Sequence, residues 1–354
     1  MQSFCLGKSV VKISDTKIYP WLNRAIERKA SDLHVSAGAA PAFRIDGDIV
    51  FDTGESLSEA DVQTMLDELV DARKLDRYKA SLDFDFSIEI DRGTRCRVNV
   101  FQQLRGPAAA FRLIPPEIQS LERIGCPAVI ETLANRTKGL VLVTGETGSG
   151  KSTTLAAIVD YLNKAHALHI LTIEDPIEVV HANHRSIVHQ REVGLHSESF
   201  AGALRSALRE DPDCILVGEL RDLETIRLAI TAAETGHLVL ATLHTNSAAH
   251  TIDRLVDVFP AEEKLVVRAM LAECLAGVVC QTLVKKRGGG RTAIWEVMVS
   301  VPAVRNLIRE GKTAQLYSAI QTGAEHGMLT MEQCMEDRME KGVIEAVGKR
   351  GYKR

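Results

Sequence analysis

The sequence predicts an α/β protein: a parallel sheet buried on both faces and carrying a phosphate-binding loop, preceded by a smaller α+β region. Three observations predict it. Four bare apolar runs recur between residues 140 and 241, and helical segments separate them. Gly145 to Ser152 reads GxxxxGK followed by Ser, between one such run and a helix. Ahead of these, residues 20–113 mix short alternating runs with helical patterns. A length of 354 residues suggests two domains. The division expected is 1–114 and 115–354.

Composition removes several classes. Lys+Arg number 43 and Asp+Glu 47, a net charge of −4, which argues against a protein that wraps nucleic acid. A hydrophobic share of 45% excludes wholesale disorder. The seven cysteines are odd in number, scattered and without CxxC. A disulfide framework or zinc site is therefore not expected, and a reducing cytoplasm fits. No apolar run approaches the roughly 18–20 residues that span a bilayer, so no membrane insertion is expected. Residues 1–8 are too short and polar to read as a signal peptide.

Residues 1–19 show no clear period. From Pro20, Trp21, Leu22, Ala25 and Ile26 fall at helical spacing. Leu33-His34-Val35 is a short alternating run. Asp46-Gly47 between 42–45 and 48–51 signals a hairpin. Ser58 and Asp61 resemble a capping box ahead of Val62, Met65, Leu66 and Leu69. Strands are expected over 84–90, 95–101 and 108–113, with a turn at Asp91-Arg92-Gly93. Pro115-Pro116 marks a linker. The apolar runs are 140–143, 169–173, 214–217 and 238–241, with helices expected over 153–165, 200–209 and 223–235. Gly236 is a natural stop for the last helix. After Gly288-Gly289-Gly290 come one strand, 292–299, and short helices.

Gly145, Glu146, Thr147, Gly148, Ser149, Gly150, Lys151, Ser152 and Thr153 form the candidate cradle. Glycines let successive N–H groups turn inward onto phosphate oxygens, and the helix N-terminus adds its dipole. Lys151 supplies a cation for the β/γ-phosphates and Ser152 a hydroxyl for Mg2+. Glu174, with Asp175, and Glu219 end two apolar runs, where a carboxylate can hold Mg2+ through water or orient a nucleophile. Position 218 is Gly, so the usual Walker B aspartate is missing. His244 follows a strand, at the end where α/β sheets bind ligands, and is a candidate for contacting the γ-phosphate; His237, which precedes that strand, is a further candidate nucleotide contact.

These motifs carry a specific resemblance. Gly145 to Thr154 and Ile173 to Glu178 resemble the Walker A motif and Asp box of the type II and type IV secretion ATPases. Leu208 to Asp222 resembles their Walker B, and Thr235 to Asn246 their His box. Gln190 to Gly194 and Ala303 to Gly311 are similar to the pilus-retraction branch. Glu146 and Trp295 depart from residues common in that family, and the long extra N-terminal domain of extension ATPases is not seen.

The resemblance implies a PAS-like N-terminal domain, a RecA-like core, a homo-hexamer, and ATP held in the cleft between domains. Glu174 would polarise water, Glu219 would support Mg2+, and Arg97 and Arg112 would reach toward phosphate. The expected function is a cytoplasmic motor ATPase driving type IV pilus retraction. It would sit peripherally at the inner face of the cytoplasmic membrane, on an integral membrane platform protein. Open alternatives are a pilus-extension or secretion ATPase, or a low-turnover nucleotide-dependent regulator. A helicase is weaker, since aromatics are only 5% and no basic stripe interleaves with them.

Overall fold

The computed structural model describes residues 13–45, 47–70, 78, 82–91, 94–114 and 117–345. Residues 1–12, the turn residues Arg92-Gly93 and the Pro115-Pro116 linker lie outside that set. The chain divides into two compact units: Met1–Glu117 with Pro176–Val180, and Ile118–Asp175 with His181–Arg354.

The first unit is α+β. Helix α1 (Tyr19–Glu27) carries its proline in the first turn, where the missing N–H costs nothing. Strands β1 (Asp32–Ser36), β2 (Ala42–Ile45) and β3 (Asp48–Phe51) follow. Helix α2 (Glu59–Leu69) starts at a full capping box between Ser58 and Asp61. Strands β4 (Asp83–Asp91), β5 (Thr94–Gln103) and β6 (Gly106–Ile114) complete a sheet of order β3-β2-β1-β6-β5-β4. Each neighbouring pair runs antiparallel. One face packs Leu33, Val35, Phe43, Val98 and Phe111 against Leu22 of α1 and Val62 and Leu66 of α2. The alternate residues, Arg97 and Arg112 among them, fall on the other face.

The second unit is α/β. Its elements begin with α3 (Ala128–Ala134), β7 (Gly139–Thr144), α4 (Lys151–Ala165), β8 (His169–Glu174) and β9 (Ile187–Glu192). Next come α5 (Phe200–Ala207), β10 (Cys214–Val217), α6 (Leu223–Glu234), β11 (Leu238–Leu243), α7 (Ala248–Asp257) and α8 (Lys264–Cys274). Strands β12 (Leu275–Lys285) and β13 (Arg291–Val299) are followed by α9 (Pro302–Arg309), α10 (Leu316–Thr322) and α11 (Met331–Glu340). The sheet order is β13-β12-β7-β11-β10-β8-β9. Only β13 runs antiparallel to its neighbour.

The bare apolar runs have their physical reason here. In β7, Leu140 and Leu142 join one core, while Val141 and Val143 join the core on the opposite face. Both faces are covered, so neither parity can be polar. The structure adds two strands that periodicity does not predict. β9 is an edge strand reading Ile-Val-His-Gln-Arg-Glu, too polar to stand out. β12 follows α8 without a break and includes Gly277 and Gln281.

Candidate nucleotide site

Thr144 ends β7 and Lys151 opens α4, so the glycine-rich octet is the turn between them. Gly145, at φ +147°, lies so close to β12 that a Cβ there would sit 2.3 Å from the Gln281 carbonyl oxygen. Gly150 is left-handed at φ +92° and caps α4 without a side chain. Glu146, Thr147 and Gly148 are exposed, as are Ser152 and Thr153 at the helix start, whereas Ser149 is buried. The Ser149 hydroxyl has no hydrogen-bond partner. The Lys151 ammonium donates to the carbonyls of Gly145 at 2.7 Å and Glu146 at 3.0 Å. An uncapped helix start beside a held cation is a site for an anion.

Gln281 on β12 braces this loop, and sequence reasoning missed it. Its Nε2 donates to the Ser149 carbonyl at 2.6 Å. Its Oε1 accepts from the Thr154 hydroxyl of α4 at 2.8 Å. The one available signal is a glutamine that is 3% exposed in an otherwise apolar stretch. One residue earlier, Thr144 donates to the sulfur of Cys280 at 2.9 Å. Burial pushes the Cys280 thiol well above its ordinary value, so it stays protonated and unreactive. The six described cysteines are all free thiols, as the scattered spacing suggests.

The carboxyl ends of the parallel strands line up beside the loop. Thr144 of β7 pairs with Leu243 of β11, Ala241 with Val217 of β10, and Val217 with Ile173 of β8. The residues that follow form a relay in that strand order. Lys151 Nζ lies 3.5 Å from His244 Nδ1, and His244 Nε2 lies 3.3 Å from Glu219 Oε1. An ammonium can only donate, so the nitrogen of His244 that faces Lys151 is the acceptor. The second Glu219 oxygen accepts from Arg221 Nε at 2.8 Å, and Arg221 reaches Asp175 at 3.8 Å.

Glu174 stands one strand further on. Its Oε1 accepts from the Thr172 hydroxyl at 2.7 Å and from Gln190 Nε2 at 3.2 Å. His237 is not brought to the loop. It sits at the amino end of β11, next to Gly139, with Nδ1 3.0 Å from the Ala232 carbonyl. The six residues of β11 separate it from His244, seven steps along the strand or about 23 Å at 3.3 Å per residue. Arg97 and Arg112 belong to the first unit, side by side on β5 and β6. Arg97 pairs with Asp85 at 2.9 Å and Arg112 with Asp32 at 3.0 Å.

The candidate magnesium donors, the Ser152 hydroxyl and the Glu219 carboxylate, are oxygens, the hard ligands Mg2+ takes. Both Glu219 oxygens already have partners, which suits contact through water. Among the described residues no group of three or more His, Cys, Asp or Glu could hold a metal by itself.

A family model described as type II/IV secretion system protein matches residues 10–345. The chain belongs to this family. Among its relatives, the type IV pilus retraction ATPase PilT of Pseudomonas aeruginosa is 55% identical over 315 residues, 89% of this chain and 92% of that protein. A twitching motility protein of Neisseria gonorrhoeae is 51% identical over 309 residues, 87% of this chain and 83% of that one. The crystal structure of the pilus retraction motor PilT with bound ADP matches at a TM-score of 0.86 and 46% identity, covering 94% of this chain and 95% of that one. The fold is therefore the family's RecA-like P-loop core preceded by a smaller PAS-like α+β domain.

Proposed function

We propose that this chain is a motor ATPase that hydrolyses ATP to drive type IV pilus retraction, and so twitching motility. The observation that carries the chemistry is the relay Lys151–His244–Glu219 at the mouth of the P-loop. The likeness to a pilus retraction ATPase over nine-tenths of both chains supports the output.

In this reading the loop N–H groups and Lys151 grip the β- and γ-phosphates, with Gly145 to Thr153 as the cradle. Ser152 and, through water, Glu219 would hold Mg2+, which when bound would supply positive charge beside the phosphate oxygens. Glu174 is the base. A water oxygen bonds to the γ-phosphorus while the bond to the β–γ bridging oxygen breaks. That oxygen keeps the electron pair and leaves with ADP, and the water proton passes to Glu174. His244 faces the γ-phosphate, standing between Lys151 at 3.5 Å and Glu219 at 3.3 Å. Arg97 and Arg112 would offset charge on the transferred group, exchanging their present carboxylate partners for it. His237 has no part in this chain's own cradle, given its place at the far end of β11.

The working assembly is a homo-hexamer on an integral membrane platform protein, at the inner face of the cytoplasmic membrane. No helix of the described residues is long and apolar enough to cross a bilayer. Nothing in the charge balance calls for nucleic acid. Two measurements test the reading. Lys151→Ala should abolish phosphate release by the purified chain. A strain lacking the chain should keep abundant surface pili yet fail to twitch. Loss of pili in that strain would point to extension instead, and undiminished turnover in Lys151→Ala would remove the catalytic assignment.

A further inference from the structure

Glu174 does not hold its carboxylate unaided. Strands β8 and β9 run parallel, with Thr172 opposite Gln190 and Glu174 opposite Glu192. Side chains two apart on a strand share a face, and register partners on adjacent strands share it too. Thr172, Glu174 and Gln190 therefore stand together at the carboxyl end of the sheet. The Thr172 hydroxyl, on a residue 1% exposed, and the Gln190 amide both donate to one oxygen, Oε1. Two donors on one carboxylate oxygen fix the plane of the group and the direction of its other oxygen.

The Gln190 amide is itself oriented. Its Oε1 accepts the backbone N–H of His181 at 2.8 Å. That bond settles which end of the amide is oxygen, so Nε2 must face Glu174. The sequence motif Gln190-Arg191-Glu192 thus has a chemical use that strand periodicity cannot reveal.

We infer that Gln190 and Thr172 are positioning residues that aim Glu174 as the base for ATP hydrolysis, with Gln190 held in its working orientation by the His181 N–H. This inference rests on the assignment of Glu174 as base. Neither residue needs to touch nucleotide. Their work is to keep the carboxylate correctly turned, through the two hydrogen bonds to its Oε1.

The test uses the full-length protein, with kcat and KM measured across a range of Mg-ATP concentrations. Gln190→Ala and Thr172→Val should each lower kcat by about 10–100-fold, the size expected when a reacting group is misdirected, with KM for ATP within about twofold. Thr172→Ser keeps the hydroxyl and should retain kcat within about threefold of wild type. Gln190→Glu places an oxygen where the amide donated and should be no better than Gln190→Ala.

Normal kcat in Gln190→Ala and Thr172→Val, alongside an inactive Glu174→Gln, overturns the positioning role and leaves the base in place. A lowered kcat accompanied by an equally large rise in KM, or no rescue by Thr172→Ser, makes these residues structural and also overturns it. Normal turnover in Glu174→Gln instead removes the assignment of the base. Should Gln190→Ala fail to fold, the Thr172→Val and Thr172→Ser pair decides by the same criteria.

Discussion

Replacing Gln281 with leucine isolates what shapes the phosphate loop. Leucine has similar bulk but neither donor nor acceptor. The Ser149 carbonyl loses the 2.6 Å bond and the buried Thr154 hydroxyl the 2.8 Å bond. At about 1–3 kcal/mol for each polar group stripped of a buried partner, the loss is about 2–6 kcal/mol. The reporter is built in. Trp295 lies opposite Gln281 in the β12–β13 register and is fully buried, and the only other tryptophan is Trp21. In a Trp21→Phe background, urea unfolding followed by fluorescence reads this sheet alone. With a slope of about 2 kcal/mol per M, a loss near 3 kcal/mol lowers the midpoint by about 1.5 M. ATP KM should rise about tenfold if half of that loss falls on the loop. Gln281→Glu should be worse, because it sets a carboxylate oxygen against the Ser149 carbonyl. Adding Thr154→Val to Gln281→Leu should cost about 1 kcal/mol less than Thr154→Val alone. A midpoint shift below about 0.3 M with unchanged KM would refute the brace.

Two further results are expected. Gly145→Ala should abolish nucleotide binding, since its Cβ would meet the Gln281 carbonyl at 2.3 Å, whereas Gly148→Ala, at φ +79° with nothing within 4 Å, should cost only about 1–2 kcal/mol of backbone strain; KM values in the opposite order would contradict the close approach. Burial, opposed by Asp160, lowers the His181 pKa from 6.5 to about 4. The unfolded chain therefore takes up this proton first, so the stability is present above about pH 6.5 and lost as pH falls toward 4, on the order of 3 kcal/mol in all. His181→Gln should flatten that acid limb in thermal melts across pH 4–7, and an unchanged slope would sink the argument.

The cradle is legible in the sequence because its chemistry is local: seven intervals of chain hold Gly145 to Ser152, and their types state the job. The inner strands are legible because two-sided burial leaves bare apolar runs. The helix start at Ser58 is legible because a capping box spans three residues. What stays hidden is whatever depends on distant chain. Gln281 acts on Thr154 across 127 positions, and no spacing rule reaches that far. The pairing of Gln190 with Glu174 depends on the register of an edge strand too polar to announce itself. Strand order also decides His237 and His244. They flank one strand, and because the strands run parallel only the carboxyl-end residue, His244, joins the ends that gather beside the loop.

The grip of the loop carbonyls on Lys151 has a consequence for how tightly a ligand can be held. A long flexible amine usually surrenders its rotational freedom at the moment of capture, a loss of about 0.5–1.5 kcal/mol. Here the ammonium is anchored at 2.7 and 3.0 Å by the very turn that will surround the anion. The disorder of that side chain has been given up during folding, so the incoming triphosphate meets a charge already standing still. Up to about tenfold in affinity is thereby written into the backbone before the ligand arrives.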